Sequence, residues 1–301
     1  MTKGFLALNL AVLVALAAGC EKKPAKNGDT GAINAMDRAG SNDGPVDTAP
    51  LDGIDISKLN KDKQATFYKL VGSLSSPCGT GKSLRTSYAS EPSCKRAPFA
   101  VRYVAALLED EATEAQVKEE YEHKYESDAK PVKIDVSKAP RVGNDDAPIR
   151  LVEFFDYQCP HCQAFKPMLE QVMADRPGKV VVHYMMFPLE KHTNSKLAAQ
   201  AALAAAQMGK FHEMHDVLFA KSPNHSKDDI TGYAKEIGLD PAQFSSLLDA
   251  QGAHVVTDVA QGDAAGVDST PTLYFNERKY EGPIHPKYIE MWIDEELAVN
   301  R

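Results

Sequence analysis

Hydrophobic positions follow two different spacings along this chain of 301 residues. Over residues 56–128 apolar side chains recur every three or four positions, a pattern that predicts amphipathic helices. Over residues 132–301 short apolar runs of strand length alternate with stretches of helical spacing, which predicts a sheet covered by helices. The pattern therefore predicts an α/β fold that is preceded by a small all-α module.

Three apolar stripes define the helices that we predict in the N-terminal module. They consist of Phe67, Leu70, Val71 and Leu74, of Val101, Val104, Ala105 and Leu108, and of Val117, Tyr121 and Tyr125. Thr113 and Gln116 have the spacing of a capping box just before the third stripe. A helix is therefore predicted to begin after Thr113.

Two strands and a connecting helix open the second part of the chain. Residues 149–155 and 180–187 are apolar enough for buried strands, and residues 163–174 between them have helical spacing. Such apolar strands are typical of buried parallel positions, so we expect the two strands to be parallel. The helix between them is then expected to make a right-handed crossover, with a kink at Pro167.

A long helical block separates these strands from the last ones. Residues 192–264 contain helical segments interrupted by turn residues, and a block of this length between strands predicts an inserted helical domain. Residues 272–276 and 279–281 then have the pattern of a hairpin. A final helix is predicted to begin at Pro286. Its buried face would consist of Ile289, Trp292, Ile293 and Leu297.

The N-terminal part of the chain differs in composition from the rest. Residues 1–19 have a short basic start with Lys3, then an apolar stretch, and end in small residues. This order is typical of a secretory signal. Residues 16–20 resemble a bacterial lipobox, and this resemblance implies that Cys20 is lipidated and becomes the mature N-terminus. An uncleaved membrane anchor is the alternative. Residues 20–55 have hardly any large apolar side chains and are predicted to form a disordered tether.

Charge and cysteine content limit the partners and the compartment. The formal net charge of −8 argues against nucleic acid as a partner, since no basic cluster offsets it. Of five cysteines, Cys20 stands alone, Cys78 and Cys94 can pair, and Cys159 and Cys162 lie close together. Two pairs and one separate cysteine are typical of an oxidising compartment. With the signal, they predict a location in the bacterial cell envelope, on the extracytoplasmic side.

The close cysteine pair lies where the first predicted strand meets its helix, with Pro160 at the first helical turn. Unpaired N–H groups at a helix N-terminus favour negative charge, and His161 can add a cation, so the pKa of the Cys159 thiol is predicted to be low. Cys162, one turn further along, is predicted to be less exposed and to resolve a mixed disulfide. The pair is therefore predicted to exchange disulfides.

Metal and nucleotide sites are the competing interpretations of the polar motifs. A zinc site at the cysteine pair would need four ligands, and no second close pair exists, so no metal is predicted. His212 and His215 have a helical spacing that could hold a metal, but without an evident third ligand a solvated helix face is preferred. Residues 79–83 resemble the end of a phosphate-binding loop without its first glycine or preceding strand. No cofactor is therefore predicted.

The residues around the cysteine pair resemble a known family. Residues 152–162 are similar to the active-site segment of the DsbA-like thiol:disulfide oxidoreductases, residues 211–219 resemble a helix of their insertion, and residues 269–272 resemble their cis-proline loop. The resemblance covers residues 132–301. It implies a thioredoxin fold with an inserted helical domain at about residues 192–264.

The same resemblance implies roles for further residues. Glu153 would be a buried acid beneath the cysteines, which fits its apolar neighbours on a strand expected to be central. With a raised pKa, such an acid is suited to shuttling a proton for Cys162. Thr270 and Pro271 would present backbone groups to a substrate peptide by strand-like pairing.

Part of the N-terminal module carries a weaker resemblance, at residues 77–79, 83–84, 106–108 and 117–125. These residues loosely resemble the helical hairpin of CcmH-type proteins of cytochrome c maturation. Thr80 and Gly81 stand where the second cysteine of that family would fall. A structural disulfide between Cys78 and Cys94 is the preferred hypothesis, since closing a loop of about 15 residues would stabilise the module. A second redox pair that relays electrons to Cys159 is the alternative.

The leading functional hypothesis is an enzyme that donates its Cys159–Cys162 disulfide to the thiols of secreted or envelope proteins. Such an oxidase needs a membrane redox partner, a quinone-linked oxidase, for its own reoxidation. An envelope thiol reductase or isomerase, for example in cytochrome c maturation, is one alternative, because cysteine spacing does not fix the direction of electron flow. The other alternative is a client-binding module whose cysteine pair is structural.

Overall fold

Four short helices form the N-terminal part of the computed structural model, which describes residues 45–126 and 130–299. The helices are α1 (Lys61–Ser73), α2 (Leu84–Ser90), α3 (Ala97–Glu109) and α4 (Glu114–Tyr121), and a π-helical turn (Glu122–Glu126) continues α4. The described residues belong to one compact unit, Gly44–Arg301. The predicted secretory signal, Cys20 and most of the predicted tether lie outside the described residues.

The capping and the apolar faces of these helices agree with the sequence pattern. The side chains of Asn60, Ser83 and Thr113 each accept a hydrogen bond from the backbone N–H three residues later. Thr113 and Gln116 make the predicted capping box. The residues of the three predicted stripes are buried in one common core, at whose edge Tyr125 is partly buried.

The last residues of the predicted tether pack on this module. Arg85 donates hydrogen bonds to the Asp47 carboxylate and to the Ala49 carbonyl oxygen, each at 2.7 Å. Leu51 is buried in the core of the module. The structure therefore differs from the predicted boundary at residue 55, because a low local hydrophobicity does not reveal an arginine that binds the segment from a distance.

A five-stranded sheet forms the centre of the second part. Its strands are β1 (Arg141–Val142), β2 (Ile149–Phe155), β3 (Val180–Met186), β4 (Thr272–Phe275) and β5 (Arg278–Lys279), in the order β1-β3-β2-β4-β5. β2 is parallel to β3 and antiparallel to β4, so it is the central strand. All residues of β2 except Arg150 are buried. The predicted parallel pair and the C-terminal hairpin are confirmed.

Helices cover this sheet and form the predicted insertion. They are α5 (Pro160–Asp175), α6 (Ser195–Gln207), α7 (Phe211–Ala220), α8 (Lys227–Glu236), α9 (Pro241–Ala250), α10 (Gly252–Ala265) and α11 (Pro286–Val299). α5 connects β2 to β3, α6 to α10 form the insertion, and α11 packs on α5 and β2. In the part of the chain that the structure describes, no helix is both long and apolar enough to cross a membrane.

The sequence pattern did not single out β1 or α10 as separate elements, and a glycine lies at each. Gly143, directly after β1, has a φ of +115°, and a Cβ atom there would lie 2.6 Å from the Val180 carbonyl oxygen. At Gly262 in α10, a Cβ atom would lie 2.6 Å from the Phe187 ring. Close packing against β3 and the residue after it therefore requires glycine at both positions.

A buried group of charges joins the N-terminal module to α11. Glu295 is 1% exposed and accepts hydrogen bonds from Arg96 at 2.6 Å and from the Tyr125 hydroxyl at 2.9 Å. The Lys124 ammonium lies 2.9 Å from the same carboxylate and 3.6 Å from the centroid of the Trp292 ring. Burial alone would raise the pKa of Glu295, but Lys124 and Arg96 hold it below its usual value. Because an unpaired buried charge is strongly destabilising, this group fixes the module to α11.

Cys78 and Cys94 form a disulfide, with their Cα atoms 5.8 Å apart. It joins the loop after α1 to the turn before α3. Cys78 is exposed and Cys94 is buried. Arg96 follows Cys94 by two residues, so the disulfide also fixes the backbone from which Arg96 reaches Glu295.

Replacing both Cys78 and Cys94 by serine should lower the free energy of unfolding by roughly 3 kcal/mol, because the unfolded chain regains the entropy of a loop of about 15 residues. Urea unfolding of the oxidised protein measures this change. The thiol reactivity of Cys159 and Cys162 should persist in the folded variant. Loss of that reactivity with an unchanged free energy of unfolding would contradict a structural role for the disulfide.

Candidate active site

The close cysteine pair lies at the junction of β2 and α5. Cys159 is the N-cap of α5, and Pro160 occupies the first helical position, where no intrahelical N–H bond is lost. The Cys159 N–H donates to the Asp156 carbonyl oxygen at 3.1 Å, and the Cys159 carbonyl oxygen accepts from the Gln163 N–H at 3.0 Å. The thiol of Cys159 is therefore held beside the free N–H groups of the first helical turn.

The two thiols differ strongly in their tendency to ionise. A hydrogen bond from the Cys162 thiol is the main cause that lowers the pKa of Cys159 to about 5, against the opposing effect of its own burial. Thr270 and the backbone N–H groups of His161 and Cys162 lower this pKa further. Burial raises the pKa of Cys162 far above its usual value, and the hydrogen bond to Cys159 and the charge of Glu153 raise it further. Cys159 is thus the thiolate and Cys162 the thiol.

His161 contributes to the site through its backbone. Its side chain is exposed, and it lowers the pKa of Cys159 through its backbone N–H. A helix N-terminal N–H faces the sulfur directly. The effect that a charge on the exposed imidazole would have on the Cys159 pKa stays a prediction.

Glu153 lies in the middle of β2, opposite Tyr184 of β3 and Leu273 of β4. It is 4% exposed, and burial alone raises the pKa of its carboxyl to about 8. At neutral pH the carboxyl is therefore mostly protonated. Its charge, when present, raises the pKa of Cys162, so the two groups compete for a proton.

The loop before β4 faces the cysteine pair. The Thr270–Pro271 peptide bond is cis, and the Cys159 thiol donates to the Thr270 carbonyl oxygen at 3.4 Å. The Thr270 hydroxyl is buried and has no hydrogen-bond partner among the described residues. When Cys159 is ionised, its sulfur can no longer donate to the carbonyl, and the Thr270 hydroxyl becomes the donor that lowers its pKa.

The two histidines of α7 lie in different environments, and the predicted solvated face is wrong for His215. His212 is exposed, but His215 is buried, and its Nδ1 lies 3.0 Å from the Tyr157 hydroxyl. Burial holds the pKa of His215 well below its usual value, so the ring is neutral. Its place in the apolar repeat with Phe211 and Leu218 could have predicted this burial.

Among residues 45–126 and 130–299, no three histidine, cysteine or acidic side chains are arranged so that they could hold a metal ion.

Polar side chains next to Cys159 connect it to the insertion, and the sequence analysis gave them no role. Gln158 donates to the Pro223 carbonyl oxygen at 2.6 Å and accepts from the Asn194 N–H at 2.9 Å. Gln163 donates to the Phe219 carbonyl oxygen at 3.1 Å. The sequence could have indicated these roles, because Gln158 and Gln163 flank the cysteine pair at the junction between a predicted strand and a predicted helix.

The arrangement of one acidic thiol, one buried thiol, a buried carboxyl and a cis-proline loop is suited to thiol–disulfide exchange. The thiolate of Cys159 can attack a disulfide or leave from one. Cys162 lies where it can close the intramolecular disulfide. These features support an oxidoreductase, and they require no bound cofactor for the exchange itself.

This chain is similar to known proteins over about half of its length. BdbD from Bacillus subtilis has a similar structure, with a TM-score of 0.50 and 26% identity, over 57% of this chain and 99% of that chain. A thioredoxin-like oxidoreductase from Silicibacter pomeroyi has a TM-score of 0.48 and 29% identity, over 52% of this chain and 91% of that chain. Na(+)/H(+) antiporter NhaA 3 from Salinispora tropica is 34% identical over 143 residues, 47% of this chain. This alignment spans only 22% of the antiporter.

The comparison with protein families covers the sheet and its insertion. The family model described as thioredoxin matches residues 135–295, slightly more than half of the 301 residues. The N-terminal helices lie outside this match, so the resemblance of that module to CcmH-type proteins stays a prediction. The chain belongs to the thioredoxin family.

Proposed function

We propose that this protein is an extracytoplasmic thiol:disulfide oxidoreductase that donates its Cys159–Cys162 disulfide to the thiols of secreted or envelope proteins. The observation that carries the proposal is the difference between the two thiols: the pKa of Cys159 is lowered to about 5, whereas that of Cys162 is raised. A pair with one good leaving group and one buried partner is suited to exchange rather than to structural stabilisation.

The exchange proceeds in two displacement steps. A client thiolate attacks the Cys159 sulfur, the Cys159–Cys162 bond breaks, and Cys162 leaves and takes up a proton from the neutral Glu153 carboxyl. A second client thiolate then attacks the client sulfur of the mixed disulfide, and Cys159 leaves as a thiolate. The client loses two electrons and the cysteine pair gains them. A membrane redox partner, a quinone-linked oxidase, then accepts these electrons.

The low pKa of Cys159 favours the oxidising direction. A stabilised thiolate stabilises the reduced protein, which makes the disulfide a stronger oxidant. Equilibration of the pair with glutathione tests the direction. A reduction potential as low as that of thioredoxin, about −270 mV, would contradict oxidase activity and favour a reductase.

Client peptides are proposed to bind along the loop at Thr270 and Pro271. This loop leads directly into β4, and its backbone lies beside the Cys159 sulfur. An extended peptide that pairs with this backbone would place its own cysteine next to Cys159. Because the recognised groups are backbone atoms, such binding would accept clients of different sequence.

Trapping experiments test the roles of the two cysteines. In Cys162→Ser, the Cys159 thiolate should attack client disulfides and accumulate mixed disulfides, because the resolving thiol is missing. Cys159→Ser, the matched control, should accumulate few or none. Non-reducing electrophoresis of envelope fractions measures both. Equal trapping by the two variants would refute the assignment of Cys159 as the nucleophile.

Replacement of Glu153 by glutamine tests the buried carboxyl. In the oxidised protein, the free energy of unfolding of the wild type should fall relative to Glu153→Gln as pH rises from about 4.5 to about 8. This free energy falls because the folded protein keeps a proton on Glu153 that the unfolded chain has already released. The contribution of Glu153 to stability is therefore complete below the pKa of the unfolded chain. It is lost as pH rises through the folded pKa of about 8. Urea unfolding over this range measures it, and a difference independent of pH would contradict the raised pKa.

Membrane anchoring through Cys20 is the remaining part of the proposal. It rests on the lipobox-like residues 16–20 and the polar segment that follows them. Cys20→Ser should move the protein from the detergent phase to the aqueous phase in detergent partitioning, because the lipid is lost. Cys159→Ser should partition like the wild type. If Cys20→Ser also partitions like the wild type, the protein is not a lipoprotein.

A further inference from the structure

Asp156 is a buried carboxylate three residues before Cys159, at the end of β2. It accepts hydrogen bonds from the Gln158 N–H at 2.7 Å, the Leu189 N–H at 2.8 Å and the Ser195 hydroxyl. The His192 Nδ1 lies 2.7 Å from the same carboxylate. The side chain thus connects the turn before Cys159 to the segment that follows β3 and begins the insertion.

The backbone of Asp156 holds Cys159 in place. Its carbonyl oxygen accepts the Cys159 N–H at 3.1 Å, and Cys159 is the N-cap of α5. The orientation of this peptide segment therefore determines where the Cys159 sulfur lies relative to the N–H groups of the first helical turn. The same backbone also limits the rise in the pKa of the Cys162 thiol.

We propose that Asp156 is a positioning residue, whose carboxylate fixes the turn of residues 156–159 so that the Cys159 sulfur faces the N–H groups of the first turn of α5 during exchange. The inference rests on the proposed function, since these N–H groups matter most when Cys159 leaves as a thiolate. A second client thiolate forms a bond to the client sulfur, the bond between that sulfur and Cys159 breaks, and the electron pair goes to the Cys159 sulfur. N–H groups directed at this sulfur stabilise the developing charge.

A carboxylate suits this task better than a neutral acceptor. Its two oxygens can accept all four donors at once, and bonds to a charged acceptor are shorter and stronger than neutral ones. Asparagine keeps the shape of the side chain but replaces one acceptor oxygen by a donor. Asp156→Asn would therefore place an N–H group against some of the donors that now hold the turn.

Asp258 offers a matched control elsewhere in the same domain. It is also a buried aspartate, its carboxylate accepts the Met186 N–H at 3.0 Å, and the His254 ring lies 3.5 Å away. Asp258 is on α10, and neither cysteine is among the hydrogen-bond or ion-pair partners of its side chain in the part of the chain that the structure describes. Asp156→Asn and Asp258→Asn thus make the same substitution at two buried sites, and only the first site lies in the turn before Cys159.

The test measures the thiolate absorbance of Cys159 against pH and the rate of exchange with an unfolded protein that contains free thiols. Asp156→Asn should raise the Cys159 pKa and slow exchange by at least about tenfold per folded molecule, because misplacement of reacting groups lowers rates steeply. Asp258→Asn should lower the melting temperature but leave the Cys159 pKa and the exchange rate unchanged. Ser195→Ala, which removes one donor and keeps the carboxylate, should give a smaller change in the same direction.

Two results would overturn the proposal. A lower Cys159 pKa in Asp156→Asn would mean that the carboxylate acts by its charge on the sulfur. An unchanged pKa and exchange rate with a lower melting temperature, as expected for Asp258→Asn, would mean that Asp156 is only structural. The pKa titration needs no client protein, so it decides the role of Asp156 even if the wild type fails to oxidise clients. That failure would instead refute the proposed function.

Discussion

The removal of water from the central strand is the constraint on which the site depends. β2 is covered by strands on both edges and ends where α5 begins, so Glu153 and Cys162 are buried together. Burial disfavours the charged form of both groups and would do the same to Cys159. Donors compensate Cys159 far more than Cys162, because the helix N-terminus, the Cys162 thiol and Thr270 all act on the Cys159 sulfur. Cys159 and Cys162, only three residues apart, therefore differ in ionisation: the first is a thiolate and the second a thiol.

A second buried polar group, the charges around Glu295, attaches the N-terminal module to α11. It differs from the buried groups of β2 and α5 because its charges are paired with one another. At Glu295 every buried charge has an opposite partner within hydrogen-bond or ion-pair distance, and Lys124 also lies on the Trp292 ring. Paired buried charges add little net stability over apolar residues, but they tolerate few alternative arrangements. The cluster thus determines how the module sits on α11, whereas apolar contacts around Tyr288 supply buried area.

Much of the fold was predictable because it depends on local spacing. The stripes of the N-terminal helices, the capping box at Thr113 and the strands on either side of α5 all follow from residues a few positions apart. β1 escaped prediction because two residues are too short for a pattern, and α10 because glycines interrupt it. The cysteine pair and Glu153 were found from the motif and its apolar neighbours. Asp156 and the Glu295 cluster were missed, because their partners, apart from the Gln158 N–H, are 33 or more residues away in sequence.

The two cysteine pairs show how position decides chemistry. Cys159 caps a helix, and the N–H groups of that helix stabilise its ionised form. Cys78 and Cys94 lie in loops, and the N-caps of the neighbouring helices are Ser83 and Arg96. A thiolate released from this bond would therefore lack the helix N-terminal donors that Cys159 has, and a poor leaving group makes a disulfide resistant to exchange. The same covalent bond is thus suited to holding Arg96 in place in one module and to exchange with other thiols in the other.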